Sequence, residues 1–384
     1  MSTGDARTEV VAIYCPLWHN YDHASSWKGE GWCEWELLKS AVPRFDGHHQ
    51  PLEPVWGCFD ESDPAWADRE VTLAADHGVS VFLFDWYWYS GVRIMEEALE
   101  RGFLCAPNRN RLKFAVMWAN HNWADYFPAP FGKKWNSWLP SRHSENDLLR
   151  VVDYCMAHYF RQPNYWTIEN RLFFSLFEPV RFVEELGGVA RTRELLNAID
   201  ARLERSGLPP LHLNAMVWDP GPVATLRDAG FRSTTNYNIT SSGKVSARIM
   251  DRDTGADLIE RYEDLVTAHP IKWRQCAETP LPYIPVVTMG WDVTPRCEKD
   301  VPWPFPPAPG SADHTYPYGP VVTGNTPELF KHLCHLARQY VTQPPSVLNA
   351  VSINAWNEWT EGCYLLPEKR HGLAYLQAVR EVFD

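Results

Sequence analysis

Short, almost uninterrupted hydrophobic runs alternate along this chain with segments whose apolar positions recur at helical spacing. Such runs are typical of strands that are buried on both faces of a parallel sheet. The pattern predicts eight strands, and the sixth is the weakest because it is short and polar. They cover residues 10–14, 79–84, 114–118, 172–177, 212–217, 233–236, 284–288 and 351–355.

Helical patterns separate the predicted strands. Residues 64–77 fit a helix with Asp63 as N-cap, Pro64 at the first position and Gly78 just past the end. Further helices are predicted over residues 146–160, 189–205, 258–269, 327–341 and 374–383. These repeats predict an α/β fold, a single (β/α)8 TIM barrel domain over residues 1–384. A doubly wound open sheet is the alternative, but no glycine-rich phosphate loop follows the first strand, where such folds usually bind nucleotides.

Three long segments lack periodicity, and each follows a predicted strand. They cover residues 16–63, 119–139 and 291–325, and the last contains the proline-dense piece V-P-W-P-F-P-P-A-P-G. Structureless loops of this length are uncommon and usually functional. In a barrel they lie over the C-terminal face, where barrel active sites are built.

Polar and aromatic residues recur together at the ends of the predicted strands. Asp and Asn can form paired hydrogen bonds to sugar hydroxyls, and neighbouring rings can stack on the sugar. For any single Asp or Asn, the alternative is a helix N-cap or a turn former. The candidates for sugar contact at these ends are Asp85, Trp86, Tyr87, Trp118, Asn120, His121, Trp123, Asn236, Tyr237, Trp291 and Asp292.

Residues 354–362, which read N-A-W-N-E-W-T-E-G, carry two carboxylates, Glu358 and Glu361, among tryptophans and asparagines. Carboxylates beside indole rings are costly unless they are paired or used. Two nearby carboxyl groups flanked by aromatic rings are what cleavage of a glycosidic bond requires. Residues three apart on a strand point to opposite faces, so the glutamates converge only if the chain turns, and Gly362 is consistent with a turn. A solvated turn after a strand is the alternative interpretation.

Composition narrows the possible partners. The net charge of -12, with no basic cluster, argues against nucleic acid or anionic lipid, because phosphate binding needs grouped Lys and Arg. The 19 Trp, as a set, suggest flat platforms that suit the apolar faces of sugar rings. The N-terminus has no apolar signal core and no run approaches the length of a membrane span, so neither membrane insertion nor export is predicted.

The spacing of the Cys and His residues predicts no metal site. The nine Cys form no C-x-x-C pair and no zinc spacing, and several read as small buried hydrophobes. Among themselves, His19, His48, His49 and His121 show no H-x-x-x-H spacing, and the chain has no H-E-x-x-H motif. We therefore expect a reduced, cytoplasmic protein without structural disulfides, metal or cofactor. The oligomeric state is not readable from the sequence.

Several segments resemble the WbsX-type, glycoside hydrolase family 99-like group. They are W-N-E-W-T-E-G-C-Y-L, G-E-G-W-C-E-W, G-H-H-Q-P, W-A-N-H-N-W and G-W-D-V-T-P-R, they occur in the family's order, and the resemblance covers roughly residues 10–380. The resemblance implies a (β/α)8 barrel that acts on glycans, with relatives that are retaining endo-α-1,2-mannosidases and mannanases. We also expect Glu34, Asn357, Trp359 and His19 to contact the substrate.

The resemblance implies separate roles for the two glutamates. Glu358 would be the base that removes the proton of the sugar 2-hydroxyl, whose oxygen then attacks C1 to give a 1,2-anhydro intermediate. Glu361 would be the general acid/base that protonates the leaving oxygen and later deprotonates the incoming water.

The chain departs from the family pattern at three places. His121 stands where members often have Glu, Leu365–Glu368 read L-L-P-E in place of L-E-P-D, and Asp85–Trp86 replace Tyr-His. Because these positions are expected to help line the sugar site, we expect a substrate that differs from that of the mannosidases.

The combined prediction is a retaining glycoside hydrolase acting on an oligosaccharide or polysaccharide that is α-linked and can contain mannose. A glycosyltransferase of polysaccharide assembly is one alternative, since members of the group are also described as transferases. A glycan-binding barrel without catalysis is the other.

Overall fold

A parallel β-barrel forms the centre of the molecule. The computed structural model describes residues 7–124, 127–241, 258–307, 309–310, 316–344 and 346–384. The barrel strands are β1 (Glu9–Tyr14), β2 (Val81–Tyr89), β3 (Lys113–Trp118), β4 (Arg171–Leu176), β5 (Leu211–Met216), β6 (Ser233–Thr235), β7 (Tyr283–Ile284 and Val286–Thr288) and β8 (Ala350–Asn354). Shorter strand pairs flank them, such as Val92–Ile94 beside the end of β2.

The register of the strands closes the barrel. β1 pairs in parallel with β2 and with β8, as in the pairs Ile13–Leu83 and Val10–Val351. Pro285 divides β7, whose first half pairs with β6 and whose second half pairs with β8. The eight-stranded parallel barrel predicted from the hydrophobic runs is therefore confirmed, and its short sixth strand is present.

Helices lie between the strands. They are α1 (Asp22–Lys28), α2 (Trp35–Ser40), α3 (Pro64–Asp76), α4 (Glu145–His158), α5 (Pro179–Glu185), α6 (Val189–Arg205), α7 (Val223–Ala229), α8 (Tyr262–Ala277), α9 (Pro327–Val341) and α10 (Ala374–Phe383). Asp63 caps α3 as predicted, because its side chain accepts a hydrogen bond from the Ala65 N–H. The predictions for α6, α9 and α10 match the observed bounds.

The prediction of a helix over residues 258–269 was wrong at both ends. Helix α8 begins at Tyr262 and continues through Pro270 to Ala277. A proline inside a helix removes one backbone hydrogen bond, at a cost of about 3 kcal/mol. Packing beyond the proline offsets that cost, since Trp273 is buried and its indole N–H donates to the Val286 carbonyl of β7 at 3.1 Å.

Strand β2 is longer than predicted. It runs to Tyr89, so Asp85 lies within the strand and not after it. Side chains on a strand alternate between its two faces. Asp85 and Tyr87 therefore point into the barrel mouth, while Trp86 points outward, where its ring stacks near Trp88 and its N–H donates to the Tyr159 hydroxyl at 3.1 Å.

Two of the long loops are fixed to each other above the barrel. A small hydrophobic cluster contains Ala129, from the loop after β3, and Cys297, Phe305 and Tyr318, from the loop after β7. The Ala129 N–H donates to the Arg296 carbonyl at 2.8 Å. The two loops therefore form one structure over the C-terminal face. Within the described residues, no helix is both long and apolar enough to cross a membrane.

Candidate active site

A cavity of about 420 Å³ opens at the carboxyl ends of the barrel strands. Its acidic groups are Glu34, Asp85, Glu358 and Glu361, and they lie around one guanidinium group, that of Arg296. Most of the wall is aromatic. The aromatic lining residues are Tyr87, His121, Trp123, Phe127, Trp135, Phe177, Trp218, Tyr237, Trp291 and Tyr316. An acidic centre within aromatic walls suits a ligand with hydroxyl groups and flat apolar faces.

The chain turns between the two glutamates, as their convergence requires. After β8, Glu358 pairs with Cys363, and residues Trp359–Glu361 form a 3₁₀ turn that ends at Gly362. Gly362 has a φ of 68°, which favours glycine. A Cβ atom there would lie 3.1 Å from the backbone nitrogen of Asp292. The glycine therefore lets the loop after β7 approach, and the Asp292 N–H donates to the Glu361 carbonyl at 2.8 Å.

One guanidinium group holds the carboxyl groups together. Arg296 Nη1 contacts Glu361 Oε1, and Arg296 Nη2 lies 3.5 Å from Glu358 Oε1 and 3.3 Å from Glu34 Oε2. The guanidinium carbon also lies 4.5 Å from the centre of the Phe127 ring. Glu358 and Glu361 thus face the same cavity and contact the same guanidinium group.

Two tyrosine hydroxyls complete the contacts of the paired glutamates. Tyr316 donates to Glu361 Oε1 at 2.7 Å, and Arg296 Nη1 donates to the Tyr316 oxygen at 2.7 Å. Tyr237 donates to Glu358 Oε2 at 3.0 Å. Each catalytic candidate is therefore fixed by one phenol and by the shared arginine.

The surroundings raise the pKa of both glutamates. Burial, followed by the charge of Glu358, raises the pKa of Glu361 to about 8, although Arg296 acts in the opposite direction. Burial also raises the pKa of Glu358, while Arg296 and the Tyr237 hydroxyl oppose the rise. At neutral pH, Glu361 therefore retains its proton. A buried pair in which one carboxyl keeps its proton can serve as acid and base.

Several residues predicted to contact sugar do line the cavity. Besides Glu358 and Glu361, they are Glu34, Asp85, Tyr87, His121, Trp123, Tyr237 and Trp291. Tyr87 makes edge contacts with the rings of His121 and Trp123 at 5.9 and 5.2 Å. Burial lowers the pKa of His121, so its imidazole is neutral at neutral pH.

Other predicted contact residues lie behind the cavity wall and support the backbone. Asn357 accepts from the Cys15 N–H at 2.8 Å and donates to the Cys15 carbonyl at 3.0 Å, which ties β8 to β1. Trp359 stacks on Tyr364 with ring centres 4.3 Å apart. Asp292 accepts hydrogen bonds from Gln50 at 2.6 Å and from the Thr294 hydroxyl at 2.7 Å, and its carboxylate lies 2.8 Å from His48 Nε2.

The remaining predicted contacts also have structural partners. Asn120 accepts from the Glu178 N–H at 2.6 Å, and Asn236 accepts from the Tyr283 hydroxyl at 2.5 Å. His19 lies between two carboxylates, 2.9 Å from Glu61 and 3.3 Å from Glu97. Those carboxylates raise the pKa of His19 to about 9 against the effect of burial.

Two tryptophans predicted to contact sugar pack on the outside of the barrel. Trp86 lies there because of the strand alternation described above. Trp118, the last residue of β3, packs against Phe182 and His143. Neither side chain is among the described residues that line the cavity.

Arg296 and Tyr316 were missed by sequence reasoning. Both belong to the long loop after β7, which has no periodic pattern. Arg296 is the last residue of the quoted segment G-W-D-V-T-P-R, so its place in a family motif was the available signal. Tyr316 had no comparable signal. Among the described residues, no group of three or more His, Cys, Asp or Glu is arranged to hold a metal ion.

The fold and the cavity define a (β/α)8 barrel with paired, buried carboxyl groups at the carboxyl ends of its strands. The model of the family described as "Glycosyltransferase WbsX" matches residues 10–302 and 311–379, so the chain belongs to the WbsX family. The resemblance to the WbsX and family 99-like group is thereby confirmed.

Curated relatives occur in two strains of Xanthomonas campestris pv. campestris. Each is described as "Uncharacterized protein WxcX" and is 27% identical over 378 residues, which cover 97% of this chain and 49% of the relative. The chain thus spans about half the length of the curated relatives it matches.

Solved structures share the fold at low sequence identity. A structure described as "Glycoside hydrolase-like protein" matches with a TM-score of 0.59 and 13% identity, over 99% of this chain and 95% of that chain. The GH99 endo-alpha-mannosidase from Bacteroides thetaiotaomicron, in complex with bis-tris-propane, matches with a TM-score of 0.53 and 13% identity, over 97% and 95% of the two chains. These matches establish the (β/α)8 fold.

Proposed function

We propose that the protein is a retaining glycoside hydrolase that acts on an α-linked glycan, with Glu358 as base and Glu361 as general acid/base. The observation that carries the proposal is the placement of both carboxyl groups on one guanidinium within a single cavity, where Glu361 retains its proton at neutral pH. A protonated carboxyl beside an ionised one is the arrangement that glycosidic cleavage needs.

The proposed reaction has two steps. In the first, Glu361 gives its proton to the leaving oxygen while Glu358 removes the proton of the sugar 2-hydroxyl. The 2-oxygen then bonds to C1 as the C1–leaving-group bond breaks, giving a 1,2-anhydro sugar. In the second step, Glu361 removes a proton from water and the water oxygen bonds to C1 as the bond between C1 and the 2-oxygen breaks, while Glu358 returns its proton to the 2-oxygen. Two inversions at C1 retain its configuration.

The substrate class follows from the wall of the cavity. Trp123, Trp135 and Trp291 offer aromatic surfaces for sugar rings, and the volume falls in the range of known ligand sites. The shared fold with an endo-alpha-mannosidase makes α-linked manno-oligosaccharides the first substrates to test. We infer a difference from that enzyme's substrate because Asp85 and His121, which depart from the family pattern, both line the cavity.

The test compares product formation by the wild type and by single variants on defined α-linked oligosaccharides and on aryl glycosides with good leaving groups. Glu361→Gln should lose about 10²- to 10⁴-fold in kcat/KM on oligosaccharides, and much less on aryl glycosides that need no acid. Glu358→Gln should lose activity on both. The exposed variant Glu381→Gln is the control. Unchanged cleavage of oligosaccharides by Glu361→Gln would refute its role as the acid.

The pH profile gives a second readout of the same assignment. Since Glu361 must be protonated and its pKa is about 8, kcat/KM should fall as the pH rises above about 8. Since Glu358 must be ionised, kcat/KM should also fall on the acid side. Binding of glycans without any product, in the wild type as well as in the variants, would favour a non-catalytic barrel.

Glycosyl transfer is the second candidate, and the family description favours it. A sugar nucleotide would bring a diphosphate into a cavity where Glu34 and Glu358 already share the charge of Arg296. Like charges raise the cost of such binding. Calorimetric titration with nucleotide sugars separates the candidates, since a saturable signal would favour transfer and its absence together with oligosaccharide cleavage would favour hydrolysis.

A further inference from the structure

A single phenol lies between two buried carboxyl groups at the floor of the cavity. The Tyr237 oxygen is 3.0 Å from Asp85 Oδ2 and 3.0 Å from Glu358 Oε2. The Cys15 sulfur lies 3.5 Å from the same Asp85 oxygen and 3.3 Å from the Tyr237 oxygen. Asp85 belongs to β2, and Cys15, Tyr237 and Glu358 follow β1, β6 and β8, so the barrel itself sets these distances.

The number of protons limits the charge that this arrangement can carry. Burial raises the pKa of Tyr237 far above its ordinary value, so the phenol stays protonated. A phenol has one proton and can donate it to one acceptor. If both carboxyl groups were ionised, one carboxylate oxygen would face a phenol lone pair at 3.0 Å. One of the two carboxyl groups must therefore hold a proton of its own.

The position of the cation decides which carboxyl group holds the proton. Arg296 Nη2 is 3.5 Å from Glu358 Oε1, so a negative charge on Glu358 has a nearby counter-ion. Within the described residues, the salt-bridge partners of Arg296 are Glu34, Glu358 and Glu361, and Asp85 is not among them. Burial also raises the pKa of Asp85 to about 7. The charge thus belongs on Glu358 and the proton on Asp85.

The second oxygen of Asp85 has a different role. Asp85 is 93% buried, and within the described part of the chain its Oδ1 atom has no hydrogen-bond partner. Asp85 nevertheless lines the cavity. A buried polar atom without a partner is costly. A ligand hydroxyl in the cavity would satisfy it.

We propose that Asp85 is a neutral carboxylic acid whose Oδ2–H donates to Tyr237, and that the Tyr237 hydroxyl donates to Glu358. In the last part of the proposal, Asp85 Oδ1 accepts a hydrogen bond from a hydroxyl group of the bound sugar. The last part rests on the proposed function, whereas the protonation of Asp85 does not. In this chain of hydrogen bonds, Asp85 positions the base Glu358 and keeps it ionised. It also selects for a sugar with a free hydroxyl at that place.

Infrared difference spectroscopy of the 384-residue chain tests the proton without any substrate. Asp85→Asn replaces the acid with an amide of the same shape, and the exposed Asp228→Asn is the matched control. Glu70 and Glu361 also keep their protons at about pH 6, so the test subtracts the spectrum of each variant from that of the wild type. At that pH, below the Asp85 pKa, the difference for Asp85→Asn should contain a neutral-carboxyl band that the difference for Asp228→Asn lacks. The band should fade as the pH rises through about 7. If the difference for Asp85→Asn contains no neutral-carboxyl band, the proposal is overturned.

Several groups face Asp85 and contribute to that titration. They are Cys15 after β1, Tyr87 on the same strand, Tyr237 after β6, Arg296 in the loop after β7, and Glu358 and Glu361 after β8. The infrared assignment therefore depends on the loss of the band in one variant and not on the pH alone.

The activity of Asp85 variants, measured on an oligosaccharide that the wild type cleaves, shows whether Asp85 acts as a neutral acid or as a carboxylate. Asparagine can donate to Tyr237 and accept from the sugar, as a protonated aspartate does, but alanine can do neither. Asp85→Asn should therefore keep at least tenfold more kcat/KM than Asp85→Ala at about pH 6. The ratio of wild type to Asp85→Asn should fall between about pH 6 and 8.5, because only the wild type can ionise at this position.

The outcomes distinguish this inference from the proposed function. Equal loss in Asp85→Asn and Asp85→Ala at every pH would mean that the anion is required, and it would overturn the inference. If the wild type cleaves no glycan, the proposed function fails, and the infrared result alone decides the protonation of Asp85.

Discussion

Arg296 is the residue on which the charge of the cavity depends. It is 4% exposed and contacts Glu34, Glu358 and Glu361. Glu34, followed by Tyr316, Glu361 and Glu358, holds the pKa of Arg296 well above its usual range against the effect of burial. Removing one partner of a buried ion pair leaves the others without compensation, which is more costly than the pair is worth. Arg296 therefore both stabilises the fold and balances the negative charge of the cavity.

Arg296→Gln should lower the free energy of unfolding by about 3 kcal/mol at neutral pH. The loss should be smaller at about pH 5, because burial raises the pKa of Glu358 and its protonation at acid pH removes a charge that the arginine balanced. Urea denaturation at the two pH values measures both quantities. Arg191→Gln, on the exposed surface of α6, is the control and should change little. An equal loss at both pH values would contradict this account of Arg296.

At the residue scale, the sequence was informative where a motif placed side chains in the cavity. Glu358 and Glu361, which line it, were chosen as candidates because two carboxylates lie three residues apart among tryptophans. Asn357, Trp359 and Asp292 share those motifs but support the backbone, since motif membership does not say which way a side chain points. Tyr316 was missed because its loop is aperiodic and its contact with Glu361 spans 45 residues of sequence.

At the element scale, hydrophobic periodicity predicted the helices and strands whose bounds depend on the local sequence. Helices α6, α9 and α10 were predicted with the observed bounds because amphipathic spacing and flanking signals agree there. The prediction ended β2 too early because the aromatic end of the strand has no strand-like pattern. In the structure, pairing with Val92–Ile94 extends β2 to Tyr89. Helix α8 was cut at Pro270 because tertiary packing, which the sequence pattern does not contain, carries it further.

Helix α3 places a buried carboxyl group against the end of β1 and the segment after β8. Glu70 is 1% exposed and accepts hydrogen bonds from the Tyr14 hydroxyl and the Trp356 indole, both at 2.9 Å. Burial raises its pKa to about 8. Because the folded-state pKa lies above the unfolded value, Glu70 contributes stability that is fully present at low pH and is lost as the pH rises through about 8.

Glu70→Gln should remove that dependence. Relative to the wild type, the free energy of unfolding of the variant should increase by a few kcal/mol between about pH 5 and pH 8, since glutamine does not ionise. Taking the difference cancels the contributions of His19, Asp85 and Glu361, which the variant retains. Denaturant melts at several pH values provide the measurement. A difference that is constant with pH, or one that favours the wild type as the pH rises, would be inconsistent with a buried neutral Glu70.

At the scale of the whole molecule, the barrel was predictable and the cavity wall was only partly so. Continuous hydrophobic runs are enough to indicate a parallel barrel, and the barrel fixes where the strands end. The wall depends on how the loops meet above it. Arg296 from the loop after β7 lies 4.5 Å from the ring of Phe127, from the loop after β3, and 3.3 Å from Glu34, in the segment after β1. Those contacts join distant parts of the chain and have no local sequence signal.

The stereochemistry of the first product tests the central claim most directly. Time-resolved proton NMR of wild-type protein with a cleaved α-linked oligosaccharide would record the anomer that forms before mutarotation. Two inversions, each assisted by both Glu358 and Glu361, predict that the α-anomer appears first and that Glu361→Gln yields almost no product from the same oligosaccharide. First appearance of the β-anomer would contradict the two-step mechanism assigned to the Glu358–Glu361 pair.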